Sequence, residues 1–267
     1  MSAASTTQTF RGWPGVPWKV VRIAAFYVGL IGAWEVAYLA GAWPPEVFPS
    51  PQGVFETLRS TVEDGTVVDA TQLTLRRMAV GYSLSIVIGL SVGIAMGTMK
   101  WLDESMGTLV VGLQSLPSVT WFPLAALWFG LNEKAIVFVV LMGSVNSIAI
   151  SARSGVAAIP RSQTRAARML GAGRWQMYAY VVLPGMLPFL VQGLKLGWSF
   201  AWRSLLAAEL LVASTSLGYL LKTGRDQDDV SLIVAVMAVI VVIGMVVDRL
   251  VFGRLEGWVN ERWGMEA

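Results

Sequence analysis

The chain has 267 residues, of which 55% are apolar and only 14% are charged. A soluble domain of this size usually carries about 25% charged residues, so lipid is expected to surround much of the surface. The chain has no cysteine and no histidine, which excludes a disulfide framework, zinc or haem sites built on these residues, and histidine-based proton chemistry. The net charge of +3 is small, and the basic residues gather near the ends of apolar segments, so nucleic-acid binding is not expected.

Six apolar segments each approach the roughly 20 residues that a helix needs to cross a bilayer. They cover residues 20–41, 78–99, 106–129, 135–152, 187–212 and 230–247. The first is longer than the apolar part of a signal peptide and lacks a small-residue cleavage pattern, so we interpret it as an uncleaved span. We therefore predict an all-α integral membrane protein with about six transmembrane helices. Its expected parts are a tail at 1–19, a membrane domain at 20–252 with a loop at 153–183, and a tail at 253–267.

The second predicted span carries a small residue at every fourth position. These residues are Gly81, Ser85, Gly89, Gly93 and Gly97. Small residues at this spacing share one helix face and let another backbone approach closely. The approaching backbone belongs either to another helix of the same chain or to a second copy of the chain, and the spacing alone does not separate these two possibilities.

The third predicted span contains Pro117 and Pro123. Each proline removes a backbone donor and disturbs the preceding turn, so this helix should be kinked or broken. Interrupted helices occur at membrane depth only where protein or a water-filled cavity covers them. The span is therefore either an element that lines a transport pathway or a bent structural helix.

The distribution of basic residues predicts how the chain is oriented in the membrane. Both tails and the 153–183 loop are rich in them: Arg11, Lys19, Arg153, Arg161, Arg165, Arg168, Arg174, Arg254 and Arg262. Because basic residues accumulate in cytoplasmic loops, we expect both termini and this loop to be cytoplasmic. Arg76 and Arg77 run against the rule, since the same topology places them on the other side.

The 153–183 loop predicts two short helices around a glycine turn. A helix-forming stretch covers residues 163–170, the sequence Gly-Ala-Gly follows at 171–173, and a helical pattern resumes from Trp175 towards Pro184, which opens the fifth span. Ala166 and Ala167 would allow a close approach to a partner. Arg161, Arg165 and Arg168 would complement an acidic rim on such a partner. A re-entrant loop or a plain amphipathic surface helix is the alternative.

The same loop resembles the signature of bacterial ABC-importer permeases. That signature is a Glu-Ala-Ala triplet, a glycine four residues after the last alanine, and an ending of the form apolar-x-Leu-Pro. The matching residues are Ala166, Ala167, Gly171, Val181, Leu183 and Pro184. Arg165 stands where the family usually has glutamate. The resemblance implies that Arg161, Arg165, Ala166, Ala167, Arg168, Gly171, Leu183 and Pro184 form a helix that couples to an ATPase.

Three further stretches are similar to permeases of nitrate, sulfonate, taurine and bicarbonate importers. They cover residues 48–58, 113–130 and 193–221, and the whole similarity runs from about residue 20 to 255. It implies a type I importer in a prokaryotic plasma membrane. Such an importer has two permease copies, two cytoplasmic ATPase subunits that bind ATP and Mg, and a periplasmic or lipid-anchored solute-binding protein. The family's usual solute is an anion such as nitrate, a sulfonate or bicarbonate, and a neutral vitamin-precursor-like solute stays open.

The chain lacks the Gly-x-x-x-x-Gly-Lys-Ser/Thr motif of nucleotide hydrolases, because none of its lysines follows a glycine. We therefore expect no enzyme activity and no cofactor in this subunit. Two other classes of membrane protein are the alternatives. A secondary transporter commonly shows an internal repeat, which is not evident here. A membrane-embedded enzyme would need catalytic groups, such as paired carboxylates inside the spans, that are not found.

Charged and aromatic residues in the fifth predicted span are candidates for the transport pathway, together with Pro117 and Pro123. Lys195, Trp198, Trp202, Leu206 and Glu209 fall on one stripe, and Arg203 lies nearby. Ionisable residues inside membranes are usually functional. Lys195 and Arg203 either lower the barrier for an anion or pair with Glu209 and Glu35 to hold the bundle together.

Overall fold

The computed structural model describes residues 18–41 and 43–263, so most of the predicted tail at 1–19 and the end of the tail at 253–267 lie outside the described residues. The described part is helical, and no strand occurs in it. Its helices are α1 (Trp18–Leu39), α2 (Pro51–Glu63), α3 (Thr66–Thr98), α4 (Lys100–Gln114), α5 (Phe122–Phe129), α6 (Glu133–Ala157), α7 (Arg161–Met169), α8 (Arg174–Met177), α9 (Leu183–Glu209), α10 (Leu217–Asp226), α11 (Val230–Val247) and α12 (Gly253–Trp263). A 3₁₀ turn covers Ser118–Trp121, and π turns cover Tyr178–Val182 and Asp248–Phe252.

The prediction of about six spans is confirmed. Five helical stretches are long and apolar enough to cross a membrane, and the bent pair Lys100–Gln114 and Ser118–Phe129 makes a sixth. Several ends differ from those predicted. The second span begins at Thr66 rather than at residue 78, and the sixth continues through a π turn and α12 to Trp263. Hydropathy marks only the apolar part of a helix, so the charged turns beyond it were missed.

The core is a three-helix sandwich in which α6 packs between α3 and α9. The small-residue stripe of α3 faces α6 of the same chain: a side-chain carbon added at Gly81 would lie 2.7 Å from Val140 Cγ1, and one added at Gly97 would lie 2.6 Å from Val156 Cβ. Such distances are too short for any real contact. The stripe therefore serves packing within the chain, which confirms the first of its two interpretations.

The third span is broken, as its prolines predict. Helix α4 ends at Gln114, Pro117 precedes the 3₁₀ turn, and Pro123 lies in the first turn of α5. The two halves meet at an angle of 102°. A proline is tolerated in the first turn of a helix, where its missing N–H would have no partner in any case.

Two short helices were not predicted. The Ser50 side chain caps α2 by accepting a hydrogen bond of 3.0 Å from the Gly53 amide, and Ser216 caps α10 in the same way. A serine before Pro51 is a recognisable helix start, so α2 was detectable from the sequence. Helix α1 contacts α2. Just before α2 begins, the Pro49 carbonyl oxygen accepts a hydrogen bond of 3.0 Å from the Trp34 indole of α1.

The helices define two ends of the bundle. Because α3 and α6 run parallel, with Gly81 against Val140 and Gly97 against Val156, the start of α3 lies beside the start of α6, where Arg76 pairs with Glu133 at 3.0 Å. Helices α2 and α10 lie at this end. The opposite end carries the 153–183 loop and α12, which packs against the side of α9.

Candidate functional sites

The first candidate site is α7 with the turn that follows it. Two backbone hydrogen bonds of 3.0 Å close the helix, from the Leu170 amide to Ala166 O and from the Ala172 amide to Ala167 O. Between them Gly171 has φ +79°, a left-handed conformation that favours glycine. The predicted helix and its glycine stop are therefore present in the structure.

This segment is exposed on nearly every side. No residue of α7 is buried, and Met169, Leu170 and Trp175 are 89%, 88% and 81% exposed. Arg161, Arg165 and Arg168 are exposed beside them. A nine-residue helix is marginal in water unless it packs against something. Within the described chain this helix touches α8 and the π turn Tyr178–Val182 but buries no residue, so its surface offers a partner both apolar area and positive charge.

A cleft of about 850 Å³ opens beneath α7. It is lined from the α7 side by Arg161 and Arg168, and from neighbouring segments by Lys100 and Arg174. Among the described residues that line this cleft there is no carboxylate, so the cleft is electropositive.

Behind this surface the chain runs directly into the membrane domain. Helix α8, the π turn and α9 follow one another without a loop from Arg174 to Glu209. Leu183 is half exposed, and Pro184 lies in the first turn of α9, where it costs no hydrogen bond. Val182 and Met186 are buried against Ala152, so the exit from the loop is anchored on α6.

The second candidate site is a cavity of about 360 Å³ between the break of the third span, α6 and α9. Its polar lining consists of Gln114, Ser115, Ser118, Asn146 and Arg203. Pro117 lies on its wall, whereas Pro123 is not among the lining residues. The structure thus brings Pro117 and Arg203 to one cavity.

Lys195, Trp198 and Trp202 lie on another side of α9. They line a separate cavity of about 580 Å³ that faces α11 and α12. The two indole rings stack with centroids 6.1 Å apart and planes 8° from parallel. Lys195 Nζ lies 3.3 Å from Asp248 and 3.2 Å from Glu256. Lys195 and Arg203 therefore do not act on one solute at one place.

The predicted pairing of Lys195 and Arg203 with Glu209 and Glu35 is wrong. Arg203 donates to the Ser199 carbonyl and hydroxyl oxygens, at 3.2 and 2.9 Å. Glu35 makes no ion pair within the described part of the chain. Eight positions on a helix correspond to about 2.2 turns, so residues 195 and 203 point in directions about 80° apart around α9 and face different neighbours.

Glu209 belongs instead to a buried network that sequence reasoning missed. Its carboxylate is fully buried and accepts hydrogen bonds from Arg77 at 3.1 Å, from Thr74 at 3.0 Å and from the Gly218 amide at 3.2 Å. The network ties α3, α9 and the start of α10 together. One feature of the sequence did indicate it. Under the predicted topology Arg77 lies on the side of the membrane where basic residues are not expected, and an ion pair with a buried carboxylate accounts for that position.

Among the described residues there is no group of three or more acidic side chains placed to hold a metal ion. The described chain has an exposed cationic helix at one end and a polar cavity where a membrane-spanning helix is interrupted.

Comparison with known proteins agrees with this arrangement. Residues 85–262 match the family described as binding-protein-dependent transport system inner membrane component. The taurine transport system permease protein TauC of Escherichia coli K12 is 30% identical over 257 residues, covering 93% of each chain. The chain belongs to the ABC-importer permeases.

Two further comparisons bear on the relatives and on the fold. The bicarbonate transport system permease protein CmpB of Synechococcus elongatus is 30% identical over 190 residues, covering 71% of this permease and 68% of CmpB. The MetNI methionine ABC transporter, in an inward-facing crystal form, shares the fold with a TM-score of 0.64 at 20% identity, covering 73% of this permease and 96% of that chain. The fold is thus that of type I importer permeases.

Family membership fixes the coarse function. The protein is a multi-pass membrane permease of a transport system and not its catalytic subunit. Membership of the family implies an ATPase and a solute-binding protein as partners. The secondary-transporter and membrane-enzyme alternatives are therefore set aside. The resemblance predicted from the 153–183 loop is confirmed at the level of the family.

Proposed function

We propose that two copies of this permease form the membrane pathway of an ATP-driven importer for a small solute, carried as an anion. Helix α7 docks into a cleft of a separate cytoplasmic ATPase subunit, and a periplasmic or lipid-anchored binding protein delivers the solute. ATP and Mg are bound by the ATPase dimer, and the permease itself holds no cofactor. Both termini and the 153–183 loop lie in the cytoplasm of a prokaryotic cell.

The observation that carries this proposal is the surface of α7. This helix has no buried residue and three exposed arginines, and Met169 at its end is exposed together with Leu170 and Trp175 beyond it, so it is marginal by itself and would be stabilised by a partner. Its arginines suit an acidic rim, and Ala166 and Ala167 leave its backbone accessible. Arg165 adds a positive charge to this surface, so the partner's cleft should be acidic at that point.

Coupling follows from the way α7 joins the bundle. When ATP closes the ATPase dimer, the docked helices are drawn together and the membrane helices change between two packed arrangements. Interfaces that switch between two discrete packings are the usual means of such movements. The buried anchor at Val182 and Met186 supports this, because it ties the loop to α6 and α9.

The nature of the solute rests on charge and on the relatives. The cavity at the broken span carries one positive charge and, among its described lining residues, no negative one. TauC is named for taurine and CmpB for bicarbonate, both small molecules with an anionic group. An anion of this size is therefore the proposed cargo.

The test compares two glycines on either side of Ala172. Gly171→Val puts a β-branched residue at φ +79°, where a side chain would meet no neighbour but the backbone is strained by about 1–2 kcal/mol. Gly173→Val is the matched control, because Gly173 has φ −69° and ψ 171°, which valine adopts readily. In reconstituted vesicles we expect Gly171→Val to lower solute uptake per ATP hydrolysed at least about fivefold, a fold-change of the size that 1–2 kcal/mol corresponds to.

The measurement includes association with the ATPase. Pull-down of the ATPase by the permease should weaken as salt rises, since exposed charges are screened. If Gly171→Val and Gly173→Val transport equally well, or if no ATPase copurifies at low salt, α7 is not the docking element.

A further inference from the structure

We propose that Arg203 and Asn146 form a binding site for the oxyanion headgroup of the solute, in the cavity at the break of the third span. This inference rests on the proposed function and makes it specific. It names the cavity, the two recognition residues and the chemistry they select: a sulfonate, nitrate or bicarbonate group with planar or tetrahedral oxygen acceptors.

Arg203 supplies the charge. Its guanidinium donates hydrogen bonds to Ser199 and lies 5.4 Å from the centre of the Phe200 ring. It makes no ion pair with a described carboxylate. The aromatic ring and Ser199 fix the direction of the side chain and leave much of its donor fork free. An arginine fork matches the oxygens of an anion in a bidentate way. An unpaired charge in a membrane helix is costly and marks a functional position.

Asn146 supplies the second donor. It lies near the middle of α6, is only 6% exposed and lines the same cavity. Within the described part of the chain its side-chain amide makes no hydrogen bond, although a buried polar group is normally paired. A ligand in the cavity would satisfy it, because the amide NH₂ offers two donors to oxygen acceptors.

The break of the span brings further donors to the cavity and keeps it open. The Ser118 and Ser204 hydroxyl oxygens lie 2.5 Å apart, and both serines pack against Gly143. A side chain at Gly143 would collide with them. At the break the Ser115 and Leu116 amides bond to the Gly112 and Leu113 carbonyl oxygens and Pro117 has no N–H, so the added donors there are the hydroxyls of Ser115 and Ser118. A volume of about 360 Å³ holds a small anion with some water.

The other charged cavity does not compete for this role. Lys195 faces two carboxylates, Asp248 and Glu256, so its charge is already neutralised. Of the two cationic residues in α9, Arg203 alone leaves its cavity with a positive excess among the described lining residues.

The absence of native cysteine permits a direct test on the assembled transporter. Val119 lines the cavity and is 40% exposed, so Val119→Cys reports on the site without removing a donor. Its rates of modification by sulfonatoethyl and by trimethylammonioethyl methanethiosulfonate are compared on the permease band. The probes for protection are taurine, ethanesulfonate, nitrate and bicarbonate.

In the Val119→Cys background we expect the anionic reagent to be favoured. Arg203→Gln should lower the ratio of anionic to cationic rates on the order of tenfold, Arg203→Lys should keep it, and the exposed control Arg225→Gln should leave it unchanged. Asn146→Ala should keep the ratio but weaken protection by the best probe at least about fivefold.

Two results would overturn the inference: a ratio that does not respond to Arg203→Gln, or no protection of Val119→Cys by any of the four probes. The second measurement decides even if Arg203→Gln fails to assemble. Copurifying ATPase activity is measured in the same samples. A charge-dependent, protected site without an ATPase would leave this site standing and refute the importer proposal, whereas an ATPase with an unresponsive cavity would do the reverse.

Discussion

Adjacent residues of the same type can differ greatly in how much they contribute to the stability of this permease. Arg76 and Arg77 are the clearest case. Arg76 is 68% exposed and pairs with Glu133 at the surface. Arg77 is 4% exposed and binds the buried Glu209 and Ser214, both at 3.1 Å. A surface pair contributes little because water and salt screen it. A buried pair that loses one partner leaves an uncompensated charge.

This difference predicts the effect of removing each charge. Arg77→Met should lower the free energy of unfolding by about 3–5 kcal/mol, because Glu209 then stays buried without its cation. Arg76→Met, the matched control, should cost at most about 1 kcal/mol. Thermal unfolding of the purified permease in detergent measures both. Adding Glu209→Gln to Arg77→Met should restore part of the loss, and equal midpoints for the two single variants would contradict the buried role.

At the scale of helices, the sequence was informative wherever a local rule decides the structure. Pro117 and Pro123 predicted the broken span, since a proline lacks a donor whatever surrounds it. Gly171 predicted the end of α7 because a helix commonly ends at a residue with a left-handed backbone, which glycine adopts without a steric cost. These features need no knowledge of distant residues.

The features that sequence reasoning missed depend on contacts between distant positions. Glu209 and Arg77 are 132 positions apart, and Lys195 and Glu256 are 61 apart. No local pattern identifies such partners in a single sequence. For the same reason α12 resembled a charged tail, although Glu256 is directed to Lys195 and Val259 is buried. The cavity proposed to bind an anion was predicted only in part: Arg203 and Pro117 were named as pathway candidates, but Asn146 was not.

The packing of α3 on α6 gives a prediction about helices. A side-chain carbon at Gly89 would lie 2.9 Å from the Val145 carbonyl oxygen and from Ile148 Cβ. Gly89→Ala should therefore force the helices apart and cost about 1–3 kcal/mol. Gly112→Ala, also within a helix but with nothing within 4 Å, should be neutral or slightly stabilising. Both are read from thermal unfolding, and a stable Gly89→Ala would mean that the close packing is not as described.

For the whole molecule, the two ends of the bundle have different chemistry. The end with α7 carries Lys100, Arg161, Arg168 and Arg174 around one cleft. The end with α2 and α10 carries Asp64, Asp226 and Asp229 among its loops and caps. The excess of basic residues at the α7 end supports the proposed orientation, with that end in the cytoplasm.

Single cysteines test this orientation, because the native chain has none. Ser162→Cys lies exposed in α7 and Ser60→Cys lies exposed in α2, at opposite ends of the bundle. In intact cells a membrane-impermeant maleimide should modify Ser60→Cys and should reach Ser162→Cys only after permeabilisation. The reverse pattern would place α7 outside and remove the basis for ATPase docking.

The continuous helical run from Arg174 to Glu209 has α7 at one end and, near the other, the cavity proposed to bind an oxyanion, so it is suited to act as a lever between them. Arg174 and Arg203 are roughly 40 Å apart along it, at 1.5 Å of rise per residue. The regular hydrogen-bond ladder is interrupted only near the loop, at the π turn Tyr178–Val182 and at Pro188, so bending is concentrated there. If α7 docks as proposed, we expect the remainder to move as one piece, so that a small tilt imposed at the base would shift Arg203 relative to Asn146 on α6 and open or close the proposed site.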